Sequence, residues 1–310
     1  MGFDLVSVGL SCADVMVRPV ESLPAKGTLA LMPTLEIHLG GLAGVTATVF
    51  ARLGGKAAFI GTLGQDGFGD YIIGALQSNG VNIDQVKRKS SYGTPATVVM
   101  IDEMGQRTFL HHQGSSRAFT EQDVDMNFVM RARHLHWGGP AVTPALDGEP
   151  AGRLLKQARE AGLTTSLDTC YDGEGKWFAR IEHALPHTNV VMSSIEEARK
   201  YTNRETPEDV AEYYLSFGPD IVLIKMGDSG VYVKSGSDAF AIPAHTVPVL
   251  DTTGAGDAAC GGFLFGYLNG WNVRRSAKLA NAVGGLTVQA MGGSMGVKSL
   301  DAAIALMEGA

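Results

Sequence analysis

Residues Asp251 to Phe263 read DTTGAGDAACGGF. Thr252 to Gly256 have the make-up of a tight turn that opens a helix. Glycines at 254 and 256 let several backbone N–H groups aim at one point. The helix dipole adds partial positive charge there, so the turn suits a phosphate. Asp257 lies in the same turn, where a carboxylate should repel a phosphate. Read alone, Asp257 is an acid stabilising a helix N-terminus. Gly254, Gly256 and Ala259 satisfy GxGxxA, but they lie near the C-terminus rather than in a first βαβ unit, which argues against a dinucleotide site. No GxxxxGKS/T loop occurs.

The surrounding chain must position this turn. Apolar runs at 5–10 and 56–64 predict buried strands, and residues 42–55 and 68–80 predict helices stopped by glycine. That β, α, β, α order marks a parallel sheet covered by helices. Residues 94–102, a turn at 103–106 and residues 107–112 predict an antiparallel hairpin, which with residues around 15–37 forms a small separate sheet. Alternation resumes with a strand at 134–139, a helix at 149–161, strands at 164–169 and 189–193, and a strand at 221–227. Two further strands (230–234, 239–244) and helices at 257–269 and 273–290 close the chain.

The 310 residues are 45% hydrophobic and 18% charged, an ordinary globular composition. A net charge of −7 without a long basic run argues against nucleic-acid binding. Three cysteines (Cys12, Cys170, Cys260) without CxxC spacing argue against a disulfide framework or a zinc site. The N-terminus reads as a strand rather than a signal peptide, and no run approaches the roughly 20 apolar residues of a membrane helix. The expectation is a cytoplasmic protein with no membrane or nucleic-acid partner.

A second motif decides between the readings. Residues 38–81 carry Gly40-Gly41 before a helix, then LGG, then G-x-D-x-x-G at Gly64, Asp66 and Gly69. Together with DTTGAGD, in the expected order and over nearly the whole chain, they resemble the ribokinase-like (PfkB) carbohydrate kinase family. The resemblance implies one domain, 1–310, with a three-layer α/β/α fold and a mostly parallel central sheet. A small β-sheet lid, formed by about 13–38 and 92–113, is inserted in it. It also implies transfer of the γ-phosphate of ATP to a hydroxyl, with Asp257 taking the proton. Backbone N–H groups of Gly254, Ala255 and Gly256 would stabilise the transferring phosphoryl group.

The resemblance places further residues. Asp14, Gly40 and Gly41 match substrate contacts, although Asp14 also fits a loop-capping acid. Ser194 and Glu197 replace the family N-x-x-E. Glu197 is a candidate for Mg²⁺ through water, and S-x-x-E is equally a helix capping box. Lys225 replaces a small polar residue and has the length to reach a phosphate. Gly227, Gly230 and Asn281 match positions around ATP, Asn281 fitting a helix-packing residue equally well. Asp251 and Thr253, with the loop 291–294, mark a candidate K⁺ site.

Substrate candidates are His112, with His111 and Gln113 beside it on the hairpin, then Trp137, Gly138 and Asp168. Cys12 and Val45 replace asparagines, and Gly138 replaces a glutamate, which points away from ribose. Residues 166–177 keep Asp168 and Trp177 of a D-P-N-x-R-x-x-x-W pattern but lose its Arg, which points away from a sugar acid. A neutral hexose or ketose is the first expectation. A nucleoside stacked on Phe109 and Trp137 is the second. A non-catalytic sugar-binding relative is the third, resting on the departures at Cys12, Val45 and Ser194. The lid sheet is a candidate homodimer surface.

Overall fold

The computed structural model describes residues 2–104 and 107–309. In chain order the elements are β1 (Phe3–Gly9), β2 (Cys12–Arg18), β3 (Thr34–Gly40), α1 (Leu42–Arg52), β4 (Ala57–Ile60), β5 (Thr62–Gly64), α2 (Gly67–Ser78), β6 (Lys87–Lys89), β7 (Ala96–Ile101) and β8 (Arg107–His112). Then come α3 (Met126–Val129), β9 (Ala132–Gly138), α4 (Glu149–Glu160), β10 (Thr164–Asp168), β11 (Val190–Ser194), α5 (Ile195–Thr202), α6 (Pro207–Leu215) and β12 (Ile221–Lys225). The chain ends with β13 (Val231–Ser235), β14 (Asp238–Ile242), α7 (Ala255–Leu268), α8 (Val273–Thr287) and α9 (Leu300–Glu308).

The central sheet runs β14-β13-β12-β11-β10-β9-β1-β4 and is parallel from β12 to β4, with β13 and β14 antiparallel. Because strands alternate sides with period two, the inner strands bury both faces, while the edge strand β14 buries only Phe240. Leu5, Phe59, Val190 and Leu223 face a core with α1, α7 and α8. Val6, Leu135, Leu167 and Val222 face a second core with α4, α5 and α6. The result is three layers, helix–sheet–helix. The C-terminal ends of β1, β9, β10, β11 and β12 stand in register along one edge, Gly9 opposite Gly138, Gly138 opposite Asp168, and Ser194 opposite Lys225. Ligands of open α/β sheets bind outside such an edge.

A second sheet, β3-β2-β7-β8, rises from this edge. The strand expected at 56–64 breaks at Gly61. Its first half is β4 of the central sheet, and its second half is β5, which pairs with the short β6. A Cβ at Gly61 would press on the Phe59 ring and Gly9 O, so the chain turns where only glycine fits. The turn expected at 103–106 falls partly on residues 105 and 106, which lie outside the described residues. The G-x-D-x-x-G motif is a helix cap that also anchors the second sheet. Asp66 accepts from Gly69 N at the start of α2 (2.9 Å) and from Thr94 N and Oγ1 just before β7 (2.7 and 2.6 Å).

Candidate active site

Asp257 lies in the first turn of α7, as its position after the glycines requires. Gly254 caps the helix with φ 69°, a left-handed conformation that costs other residues energy. A Cβ there would also meet Gly293, so the turn packs directly on the 291–295 loop. Asp251 joins the two segments. Its Oδ1 accepts from Thr253 N and its Oδ2 from Gly292 N, both at 2.9 Å, and the residue is buried. From the other side, Thr46 Oγ1 on α1 donates to Asp257 O (3.0 Å). The turn is therefore fixed from three directions before any ligand arrives. Of the three amides expected to meet the phosphoryl group, that of Ala255 already gives a long bond to Thr252 O (3.3 Å).

The sequence suggests an Asp257 kept ionised by the helix dipole. The structure reverses that direction. Burial first, then the carboxylate of Asp168, push Asp257 up to about 8, with Lys225 acting against them. Asp168, expected at the sugar, has a partner within the protein instead. It is wholly buried and pairs with Lys225, whose Nζ lies 2.6 Å from its Oδ1. Glu197 is close by. Its Oε2 accepts from Thr169 Oγ1 (2.8 Å), and burial raises its pKa against the charge of Lys225. Ser194 is the N-cap of α5, accepting from Glu197 N (3.2 Å). Ser194 therefore caps the helix, and Glu197 on its first turn is turned inward towards Thr169.

Across the crevice, Asp14 lies on β2, buried, with Cys12 Sγ donating to its Oδ1 (3.3 Å). Burial, partly offset by the Cys12 and Thr97 hydrogen bonds, pushes Asp14 up to about 6. A side chain at Gly40 would collide with the Asp14 carboxylate, and one at Gly41 (φ 86°) with the backbone of Ser11. The di-glycine thus makes room for the acid. Thr97 Oγ1 bonds His111 Nδ1 (3.0 Å) and lies 3.7 Å from Cys12 Sγ. This places His111, rather than the expected His112, on the Asp14 side of the lid. His112 pairs with Ala96, one residue out of phase, and is exposed.

Three lid side chains reach the α7 turn and its neighbours. Arg107 Nη1 approaches Thr253 Oγ1 (3.4 Å), Arg18 Nη1 approaches Met291 Sδ (3.6 Å), and the His38 ring packs on Gly292. Sequence reasoning missed Arg107. Strand alternation through RTFLHH was the available signal, since it puts Arg107, Phe109 and His111 on one face.

Residues 3–299 match the pfkB family carbohydrate kinase description. The 2-dehydro-3-deoxygluconokinase of Bacillus subtilis (strain 168) is 30% identical over 81% of this chain and 82% of its own length. An ATP-dependent ribose-1-phosphate kinase of Halopiger xanaduensis is 28% identical, over 91% of each chain. Among solved structures, Arabidopsis thaliana ribokinase complexed with ribose and ATP superposes with a TM-score of 0.86 at 25% identity, covering 99% of both chains. This chain belongs to the pfkB family of carbohydrate kinases. The family makes it an ATP-dependent sugar or nucleoside kinase, and the three-layer fold with its β lid is the ribokinase-like fold.

Packing accounts for several positions expected from the pfkB resemblance. Trp137 is fully buried in the core beneath α4, so it cannot touch a substrate. A central strand buried on both faces hides this, because its sequence shows no polar side. Gly138 is buried with its Cα face against Ala43 N and His136 Nε2. Asn281 Nδ2 donates to Pro243 O (2.8 Å), fastening the segment after β14 to α8. Gly230 (φ 94°) lies against Ile242 O, so a strand contact explains it, whereas Gly227 (φ 58°) borders open space. Val45, in place of the family asparagine, is wholly buried beside Gly293.

Proposed function

We propose that this protein phosphorylates a hydroxyl of a neutral hexose or ketose with ATP, using Asp257 as general base and the Gly254–Gly256 backbone as anion hole. The observation that carries the reading is the pinned α7 turn, with Asp257 in its first helical turn and Asp14 on the lid strand across from it. The sugar is held by Asp14, whose carboxylate takes the space beside Gly40. Asp257 accepts the hydroxyl proton as the oxygen attacks the γ-phosphorus, and the bond from that phosphorus to the β–γ bridging oxygen breaks, releasing ADP. Charge gathering on the phosphoryl oxygens meets the amides of Gly254, Ala255 and Gly256. Lys225, Gly227 and Gly230 border the nucleotide, with Ser194 acting there only through the Glu197 it caps. Mg²⁺ arriving with ATP would neutralise phosphate charge. Glu197, a single buried carboxylate near the phosphate side, fits it through water rather than as a cage. Asp251 and Thr253 with the 291–294 loop are the residues that would hold a K⁺ ion, and Arg107 at Thr253 Oγ1 would have to give way to it.

Among the described residues the cations beside Trp177 are paired, Lys176 Nζ lying 2.9 Å from Glu174 Oε2. Arg180, the arginine of that loop, is buried and taken up by Asp147, Asp172 and Glu174 at 2.9–3.2 Å. This supports a neutral sugar even though the Bacillus subtilis relative is a gluconokinase by name. The nucleoside reading loses Trp137 as a stacking partner and keeps only Phe109. An ADP-release assay over neutral sugars, sugar acids and nucleosides, run in K⁺ and again in Na⁺, tests this. A neutral ketose or hexose should give the highest kcat/KM, with K⁺ above Na⁺. A sugar acid or nucleoside ahead by tenfold or so would replace the substrate assignment.

A further inference from the structure

The Asp168–Lys225 pair has a use beyond filling space. Asp168 closes β10 and Lys225 closes β12, with β11 between them. Only Oδ1 of Asp168 meets the ammonium, and Oδ2 is buried with no hydrogen-bond partner. Burial opposes the charge on Lys225, and Asp168, Glu197 and Asp257 more than restore it, so the lysine stays charged. Buried ion pairs with unmet hydrogen bonds are poor stabilisers, and apolar replacements of like volume are often no worse. Stability is therefore a weak reason for this pair.

Its position supplies a better one. A Cβ on Gly256 would lie 3.3 Å from Lys225 Nζ and 3.5 and 3.6 Å from its Cδ and Cε. The lysine stem lies along the open face of the third anion-hole residue. One helical turn on, Cys260 Sγ is 3.7 Å from Nζ. The side chain is 12% exposed, and its ammonium is held between the buried Asp168 and Cys260 next to Gly256. Without Asp168, the acids left to draw the ammonium would be Glu197 and Asp257, and pairing with Asp257 would tie up the base.

We propose that Lys225 is a fixed cation for the transferring phosphoryl group and that Asp168 is its positioning residue, holding the ammonium behind Gly256 and away from Asp257. The proposal rests on the kinase reading above and reassigns Asp168 from the sugar to the phosphate. As the bond to the β–γ bridging oxygen breaks, the charge of the transferring group is spread over its three equatorial oxygens, and a fixed cation beside the anion hole stabilises that arrangement.

The test compares Lys225→Met, Asp168→Asn and the double variant with the wild type. Each single variant leaves one buried charge or acceptor unmatched and should lower Tm, while the double should recover to near the wild-type Tm. Turnover should not follow stability. Both variants lacking Lys225 should lose about 100-fold in kcat with KM for the sugar within about threefold, and Asp168→Asn should lose about tenfold. A second arm measures Kd for AMP-PNP and for ADP by calorimetry. The preference for the triphosphate analogue should fall about tenfold in the double variant. If the double variant regains kcat to within about threefold of wild type, or keeps the wild-type analogue-to-ADP preference, the pair is structural only and the proposal is overturned. If no acceptor supports ADP release by the wild type, the kinase reading fails alone, and the binding arm still decides the role of Lys225.

Discussion

Asp257 carries two demands that oppose each other. As a base it must lose its proton, yet burial and Asp168 hold it up to about 8. In the free protein, kcat/KM should therefore rise with pH along an acid limb whose midpoint lies far above the usual carboxylate range, towards 8. Asp14, at about 6, titrates below it. The stability consequence has a definite sign. A folded-state pKa above the unfolded value of 3.8 means that the native state binds the proton more tightly. The stability so gained is present at low pH and is lost as pH rises through 8. Asp257→Asn, neutral throughout, should melt roughly 3 °C or more above wild type at pH 9 and close to it at pH 5. A difference that is the same at both pH values would contradict the shift. Asp257 was legible from the turn and its motif partners, but its protonation was not. That depends on Asp168 and Lys225, 57 residues apart in sequence and brought together only by the strand order. The choice between His111 and His112, and the placing of Trp137, fail from sequence for a related reason. Which of two neighbouring strand residues faces the crevice is a matter of register, and a one-residue slip exchanges the faces.

At the scale of elements, the α7 turn works because two segments far apart in sequence are tied to it. Asp251 holds Thr253 N and Gly292 N with its two oxygens. Replacing it by Ala leaves two buried amides unmet, at about 1–3 kcal/mol each. Asp251→Ala should lower Tm by several degrees and reduce kcat more than it raises KM for the sugar, because the anion hole loosens while Asp14 is untouched. Equal loss in both parameters would place Asp251 in sugar binding instead. The main helices and strands could be read from periodicity, since each long apolar-periodic run has one answer. The break at Gly61 could not, because a run of apolar residues fits one strand as well as two. The three-residue β6 is too short to show a pattern. The G-x-D-x-x-G motif was recognised by resemblance, and its physical work as a cap on α2 that also holds Thr94 appears only in three dimensions.

For the whole molecule, the lid has two unlike faces. Asp14, Thr97 and His111 look into the crevice. Val15, Ile37, Val98 and Leu110 form a cross-strand row on the other side, with Leu110 58% exposed. Such a row beside the exposed Leu35 is the apolar patch that pairing of two lids would bury. Light scattering should give twice the chain mass of 32.7 kDa, and Leu110→Lys should shift it towards the monomer. A monomer at micromolar concentration in the wild type would remove the lid interface from the account. Among the described residues no helix is long and apolar enough to cross a membrane.

The central claim is that Asp257 takes the proton from the sugar hydroxyl at the Gly254–Gly256 turn. Its most direct test is kcat of Asp257→Asn with the best acceptor from the ADP-release assay, on protein whose circular dichroism matches wild type. The expected loss is about 1000-fold, with KM for ATP within about threefold. A kcat within about threefold of wild type would show that the proton leaves by another route.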